Sequence, residues 1–445
     1  MNDQSTNHIE KDDSSKVHKP TKSLITQLTS LGKSGLLFAL FLFLQPAGIF
    51  AQQAEENAAS PFEVSVSYTG DLFGNVAGGN ETGIRYFDNI DVNMQVNFDE
   101  LPLGLSGTTF YVYGIGNQGG SISGLAGDLQ GISNIEAENS WRIFEIWVQK
   151  KFFLANSSIL LGLYDINSEF NVLNSSLLFL NSSHGLDPTI ALSGVLGPST
   201  FPYTSLAARL KINPFSGLYM QAAVLDGVPS DPGNTRGTKI YLRERDGVFV
   251  IGEIGFQSLR DNSLQMRNRV TRLQNMLDPG VVGNNKIAIG GWFYSNERST
   301  WEVTGFREQE FGFYALGEYE IFSNTSTSPR SLKTFFRAGA VNPDINMLNG
   351  FLGGGFVFDG LIPGRPGDQT GLAVAHAMAS PEYRSVTYLN SYKPEKAETN
   401  IEFTHQFALN DYVQVQGNAQ YVLNPGLDAT LDDAVVVGAR LVIGF

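Results

Sequence analysis

"NIDVNMQVNF", residues 89–98, changes character at every step. Asn89, Asp91, Asn93, Gln95 and Asn97 are polar, while Ile90, Val92, Met94, Val96 and Phe98 are apolar. A strand turns successive side chains to opposite faces, so this stretch is a ribbon wet on one side and apolar on the other. A soluble sheet would bury the apolar row in a protein core, whereas a membrane barrel would turn it to lipid.

The same alternation recurs. "FEVSVSY" (62–68) sets Phe62, Val64, Val66 and Tyr68 against Glu63, Ser65 and Ser67. "SLAARLKI" (205–212) opposes Arg209 and Lys211 to Leu206, Leu210 and Ile212. "YVQVQGNAQY" (412–421) lines up Gln414, Gln416, Asn418 and Gln420, and "RIFEIWVQK" (142–150) sets Glu145, Trp147 and Gln149 against Phe144, Ile146 and Val148. Between these runs lie segments rich in Gly, Asn, Ser and Pro, such as "VPSDPGNTRG" (228–237). Helical periodicity is scarce. Residues 259–277 are the best candidate and read as a short, charged surface helix or loop.

Composition narrows the field. The chain has 445 residues, 42% of them hydrophobic, which argues against wholesale disorder. No Cys is present, so disulfides, thiolate metal sites and Cys nucleophiles are excluded together. The net charge of −14 speaks against a nucleic-acid partner, because that binding depends on Lys and Arg meeting phosphates.

The N-terminus reads as a secretory signal. A polar region with Lys11, Lys16, Lys19, Lys22 and Lys33 precedes "GLLFALFLFLQPAGIFAQQ" (35–53). Its apolar stretch, Gly35–Leu44, is too short to span a bilayer as a helix, and Pro46 and Gly48 break it from the next apolar residues. Cleavage is expected after Ala51, giving a signal peptide at 1–51 and a β-barrel porin domain at 52–445. An N-terminal membrane anchor is the competing reading. Removing five Lys and four acids with the signal leaves a net charge of −15. No later stretch approaches eighteen apolar residues, so a membrane protein of this sequence is an exported barrel.

Alternating strands of about ten residues separated by turn residues are the signature of a transmembrane antiparallel β-barrel; a soluble β-sandwich or propeller is the runner-up. With roughly 24 residues per strand and connection, the mature length gives about sixteen strands, a cylinder wide enough to hold water. "AVVVGARLVIGF" (434–445) puts Val435, Val437, Ala439, Leu441, Ile443 and Phe445 on one face. A closing aromatic on an alternating apolar strand resembles the recognition signal read by the barrel-assembly machinery. The expected fold is therefore all-β, and its expected surroundings are outer-membrane lipid and lipopolysaccharide.

Several motifs are more specific. "GIRYFDNIDVNMQVNFDEL" (83–101), "GLYDINSEFNVLNSSLLFLNSSHGL" (162–186), "FPYTSLAARLKI" (201–212), "VLDGVPSDPGNTRGT" (224–238) and "AQYVLNPG" (419–426) closely resemble the OprB-type carbohydrate-selective porins. The resemblance covers nearly all of the mature chain in the same order. It implies a sixteen-stranded outer-membrane barrel, narrowed by inward-folded loops, that passes monosaccharides or small oligosaccharides down their gradient. A general small-solute porin, or a surface barrel that binds carbohydrate without a through-channel, would share the fold. Association into homo-oligomers is possible for either pore.

Sugars offer hydroxyls on all sides and apolar C–H faces, so a selective constriction calls for charged hydrogen-bonding groups beside an aromatic platform. By parity Glu145, Trp147 and Gln149 share the wet face, Arg85 joins Asn89 and Asp91, and Arg209 adds a second inward cation. Asp165, Asn167, Glu169 and Phe170 lie where a strand gives way to a long Asn- and Ser-rich segment, the place expected for a constriction loop. Asp226 belongs to the "AVLDGVP" motif. The candidate constriction residues are therefore Arg85, Glu145, Trp147, Asp165, Asn167, Glu169, Arg209 and Asp226, each of which could instead serve the lumen wall or fix a loop. Arg142 has the wrong parity for the lumen, so it is interfacial or its strand is bulged.

Other patterns lead nowhere. "GIGNQG" (114–119) matches a dinucleotide-binding glycine pattern, but no helix comes after it, and it reads as a loop. His184, His376 and His405 stand too far apart for a metal site, and no cofactor or metal is expected. Ser182 and His184 do not suit a triad, and Asp432–Asp433 read as surface charge rather than a glycosidase dyad. The chain is not expected to be an enzyme.

Overall fold

The computed structural model describes residues 60–152, 157–258, 285–301, 306–324, 330–390 and 393–445. The expected signal peptide at 1–51 and the helical candidate at 259–277 lie outside these residues.

Sixteen strands succeed one another: β1 (Phe62–Ala77), β2 (Gly83–Asn97), β3 (Thr108–Gly119), β4 (Ser140–Phe152), β5 (Ser157–Tyr164), β6 (Ser205–Phe215), β7 (Leu218–Asp226), β8 (Val248–Gln257), β9 (Lys286–Ser299), β10 (Arg307–Asn324), β11 (Arg330–Val341), β12 (Leu348–Asp359), β13 (Gln369–Ala379), β14 (Ala397–Ala408), β15 (Val413–Leu423) and β16 (Ala434–Gly444). Neighbours in sequence are neighbours in the sheet, and β1 pairs antiparallel with β16, closing the barrel. At the seam, Asp71 faces Arg440, and Arg440 donates to its two carboxylate oxygens at 2.8 and 2.9 Å. Closure removes every sheet edge. Four long connections, 120–139, 165–204, 227–247 and 380–396, lie at one end, and 258–285 lies at the end bearing Phe62 and Phe445; the end with four is assigned as extracellular and the other as periplasmic.

The opening stretch forms most of β2, and its parity holds. Val92 faces outward, while Asn89 and Asp91 face inward and join Asn117, Ser67 and Tyr113 in a ladder of hydrogen bonds across β1–β3. Outward positions around the wall stay uncovered: Leu72 is 55% exposed, Ile289 60%, Phe313 63% and Leu352 54%. A soluble sandwich or propeller would bury such rows. Here they form the apolar girdle that a bilayer covers.

Three local expectations are corrected. Residues 114–119 are the upper half of β3, not a loop, and Gly116 leaves room for the Trp141 ring against the sheet. In β4 a bulge shifts the register between Glu145 and Ile143 against Tyr113 and Gly114, so Arg142 pairs with the inward Ile115. The wrong parity of Arg142 is thus the bulge. Phe144, expected on the outer face, is instead buried against Tyr113 and Phe201. Third, the lumen is not polar throughout. On the β7–β12 side the inward rows include Phe249, Ile251, Trp292, Tyr294 and Leu316, all buried under the connection between β5 and β6.

Candidate constriction site

Residues 165–204, the connection from β5 to β6, fold into the barrel. Their apolar residues, among them Ile166, Phe170, Leu173, Phe179 and Ile190, complete the core begun by the inward rows of β7–β12. A main chain crossing the lumen without a strand partner needs acceptors for its N–H groups. The wall supplies them as carboxylates. Glu145 accepts from the Asp165 N–H at 3.0 Å, Glu253 from Asn171 at 2.9 Å, and Glu318 from Ser175 at 2.8 Å. Glu402, on β14, accepts from Leu180 and Asn181 at 2.7 and 3.0 Å, and Glu310 from Gly194 at 3.0 Å. The loop therefore runs from β4 past β8 and β10 to β14 and returns. Arg337, 2% exposed, pins its middle by donating to the backbone and side-chain oxygens of Asn171 and, at 3.0 Å, to Ser176 Oγ. Asn171 has φ 57°, in the left-handed region that Asn tolerates. The shorter loop 120–139 is held likewise, Glu398 accepting from Leu129 and Gln130 at 2.9 and 3.1 Å.

Beside the loop, the β3–β6 wall carries a mixed aromatic and charged strip. Trp147 stacks on Tyr111 with ring centroids 4.9 Å apart. Two residues on, Gln149 Oε1 accepts from Arg209 Nη2 at 2.7 Å. Arg209 also donates to Ser158 Oγ and to Glu169 Oε2, both at 2.6 Å. Glu169 takes Lys211 Nζ on its other oxygen at 3.1 Å and the Tyr164 hydroxyl at 2.7 Å. Burial raises the Glu169 pKa, but Lys211, Arg209 and the Tyr164 hydroxyl outweigh it and hold the carboxyl at about 2. Such a group can hydrogen-bond a polyol while an aromatic face meets its C–H surface.

Six of the eight residues expected from sequence come together here. Glu145 holds Asp165, and Asp165 caps the short turn after β5 by accepting from Asn167 N–H at 2.8 Å. Asn167 in turn donates to Gly185 O at 3.1 Å, and Glu169 meets Arg209. Trp147 stands next to this group on the wall. Arg85 is inward but sits near the extracellular end of β2, donating to its neighbour Ile84 O at 3.0 Å. Asp226 is not brought in. It ends β7 opposite the outward Val248. Sequence reasoning passed over Tyr111 and Lys211, and also the wall acids Glu253, Glu318 and Glu402. The signal was plainest for Glu253, the single carboxylate in the apolar run "VFVIGEIGF" (248–256), whereas Glu318 and Glu402 share their strands with the buried Glu310 and Glu398. His184 is buried between Phe179 and Phe335, a structural position.

Comparison with known proteins agrees with this architecture. The family described as "Carbohydrate-selective porin, OprB family" matches residues 81–445. Porin B of Pseudomonas aeruginosa is 21% identical over 413 residues, covering 85% of this chain and 87% of that protein. The high-pH structure of Pseudomonas putida OprB superposes with a TM-score of 0.71 at 17% identity, covering 86% of this chain and 94% of the other. The outer-membrane channel DcaP of Acinetobacter baumannii gives 0.51 at 10% identity, covering 86% and 97%.

Proposed function

The chain belongs to the carbohydrate-selective porin, OprB family, and from that premise we propose that it is a passive outer-membrane channel for monosaccharides or small oligosaccharides. In this reading, solutes pass between the inward loop and the β3–β6 wall. One observation carries it: the loop is fixed across the lumen by wall carboxylates, leaving the Tyr111–Trp147 pair and the Arg209–Glu169–Lys211 group side by side. Family and fold are those of a channel, and the reading includes no catalytic residues. Of the expected site residues, Trp147, Glu169 and Arg209 are assigned to solute contact or its immediate support. Glu145, Asp165 and Asn167 are assigned to holding the loop.

Purified, folded protein in planar bilayers tests this reading. Ion conductance should be partly blocked by mono- or disaccharides, and liposomes should admit sugars faster than polyols or amino acids of similar size. Conductance without block, or equal entry rates, would reduce the protein to a general small-solute porin.

Two partner assignments extend the proposal. The strand ending at Phe445, whose N–H bonds to Val66 O at 2.9 Å, suits recognition by the barrel-assembly machinery. Side-by-side association of barrels is supported by small outward residues on β7–β11, among them Ala222, Gly252, Gly291, Ala315 and Ala338, which let another wall approach closely. Native mass spectrometry in detergent reads that association directly.

A further inference from the structure

Residues 227–247, joining β7 to β8 at the extracellular rim, have no part in the proposed permeation route. They answer a local problem instead. Because the chain turns inward after Tyr164, β5 pairs with β4 only from Ile146 to Phe152, and the upper part of β4 has no β5 beside it. The 227–247 connection reaches across to cover that gap. Gly237 N–H donates to Ser140 Oγ at 2.8 Å, Ile143 N–H to Thr238 Oγ1 at 2.7 Å, and Arg142 Nη1 to Thr235 O at 3.4 Å. Thr235 and Arg236 also bond Glu138, the latter at 3.0 Å.

The returning segment toward β8 is unusual for an extracellular connection. Ile240, Tyr241 and Leu242 are 52, 42 and 74% exposed, and on the adjoining β4 the outward Trp141 and Ile143 are also uncovered. These apolar residues are interleaved with cations. Residues 236–245 hold Arg236, Lys239, Arg243 and Arg245 against the single acid Glu244, in a chain of net charge −14. Arg243 lies 4.3 Å from the Tyr241 ring centre, and its carboxylate contacts are long, 3.7 Å to Asp231 and 4.0 Å to Asp246. Arg245 is 3.7 Å from Asp246 with its side chain 76% exposed. Uncovered apolar side chains beside loosely paired cations, at the rim of an apolar girdle, match a lipid whose acyl chains lie beneath anionic headgroups. The outer leaflet of a Gram-negative outer membrane supplies such a molecule, a phosphorylated glycolipid. We infer that residues 238–245 dock lipopolysaccharide, with Ile240 and Leu242 among its acyl chains and Lys239, Arg243 and Arg245 at its phosphates.

This inference rests on the membrane placement of the barrel and not on the sugar reading, so the two fail separately. The test uses the folded, purified chain in a non-ionic detergent, with bisphosphorylated lipid A, the same lipid after phosphate removal, and phosphatidylethanolamine as probes. Bisphosphorylated lipid A should raise the unfolding temperature and remain bound in native mass spectra. The other two should do so far less, and high salt should weaken the effect. The combined variant Lys239→Gln, Arg243→Gln, Arg245→Gln should lose most of the increase while keeping wild-type conductance. Ile240→Ser with Leu242→Ser should also weaken binding, with every charge retained. Equal stabilisation by the dephosphorylated lipid, an undiminished increase in the charge variant, or occupation of the segment by a second copy of the chain would overturn the assignment. Should the charge variant not fold, the three-lipid comparison and its salt dependence on the wild type still decide.

Discussion

Trp147 is the side chain on which the proposed selectivity turns most directly. It lies flat against Tyr111, half-buried, next to the Gln149–Arg209–Glu169 chain of hydrogen bonds. Trp147→Ala should weaken sugar block of single-channel current while leaving ion conductance equal or higher, because it removes a stacking face and no charged group. Loss of one aromatic stacking contact is worth about 0.5–1.5 kcal/mol, roughly a two- to tenfold rise in the blocking concentration. Glu169 gives a pH prediction. Its carboxyl titrates near 2, below its ordinary range, so its contribution to loop anchoring is complete above the unfolded value and is lost only as pH falls toward 2. Block measured at pH 7 and at pH 5 should therefore not differ on account of this group; a midpoint between those values that disappears in Glu169→Gln would contradict the assignment. At this scale the sequence was legible where alternation was regular: Glu145, Trp147 and Arg209 all point inward as parity requires. It was opaque where function depends on a partner far along the chain. Nothing local reveals that Glu145 is spent on the Asp165 N–H and is no free sugar contact.

The decisive element is the 165–204 loop, a segment that carries its own apolar face and borrows its hydrogen-bond acceptors from the wall. That division of labour explains why β7–β12 depart from an alternating polar and apolar pattern. Their inner rows are core, shared with the loop, and their outer rows face lipid, so periodicity alone cannot separate them. The β4 bulge was legible only as one of two readings of Arg142: one extra residue inverts parity, and the mismatch of Arg142 was its single sign, while Phe144 was placed on the wrong face. Arg337 holds the middle of the loop, and Arg337→Met keeps the bulk of the side chain while removing its donors to Asn171 and Ser176. It would also take its positive charge away from Asp187 and Glu318, and from Glu253, which keeps Lys286 at 3.9 Å. Removing one member of such a buried charged group costs about 3–5 kcal/mol. We expect the barrel to survive, since its ladders do not involve the loop, but the loop to loosen. Conductance should rise, current noise should increase, and sugar block should fall; limited proteolysis within 165–204 should become faster than in the wild type. Unchanged conductance with unchanged block would show that the loop does not set the width.

At the scale of the whole molecule, stability depends on closing the cylinder between the first and last strands, which are separated by the entire domain in sequence. Ladder hydrogen bonds run from Ser67–Gly444 to Ala77–Val435, but the wall at this seam also contains a buried ion pair, Asp71 with Arg440, to which Ser133 of the inward loop 120–139 adds a hydrogen bond at 2.7 Å to the carboxylate. The seam thus joins three distant parts of the chain. Sequence alone places Asp71 and Arg440 on inward rows but cannot pair them, because pairing is set by strand number and closure. Arg440→Met leaves the Asp71 carboxylate enclosed with one hydroxyl donor, and the expected cost is again about 3–5 kcal/mol. Asp71→Leu combined with Arg440→Met removes both charges and should recover most of that loss, since a well-packed apolar pair substitutes for a buried ion pair at little net cost. The temperature at which the folded barrel converts to its slower-migrating, unfolded form on a detergent gel measures both. The single variant should convert at a clearly lower temperature and the double variant near the wild type. A double variant as unstable as the single would show that the seam is held by the specific bidentate geometry and not by relief of an isolated charge.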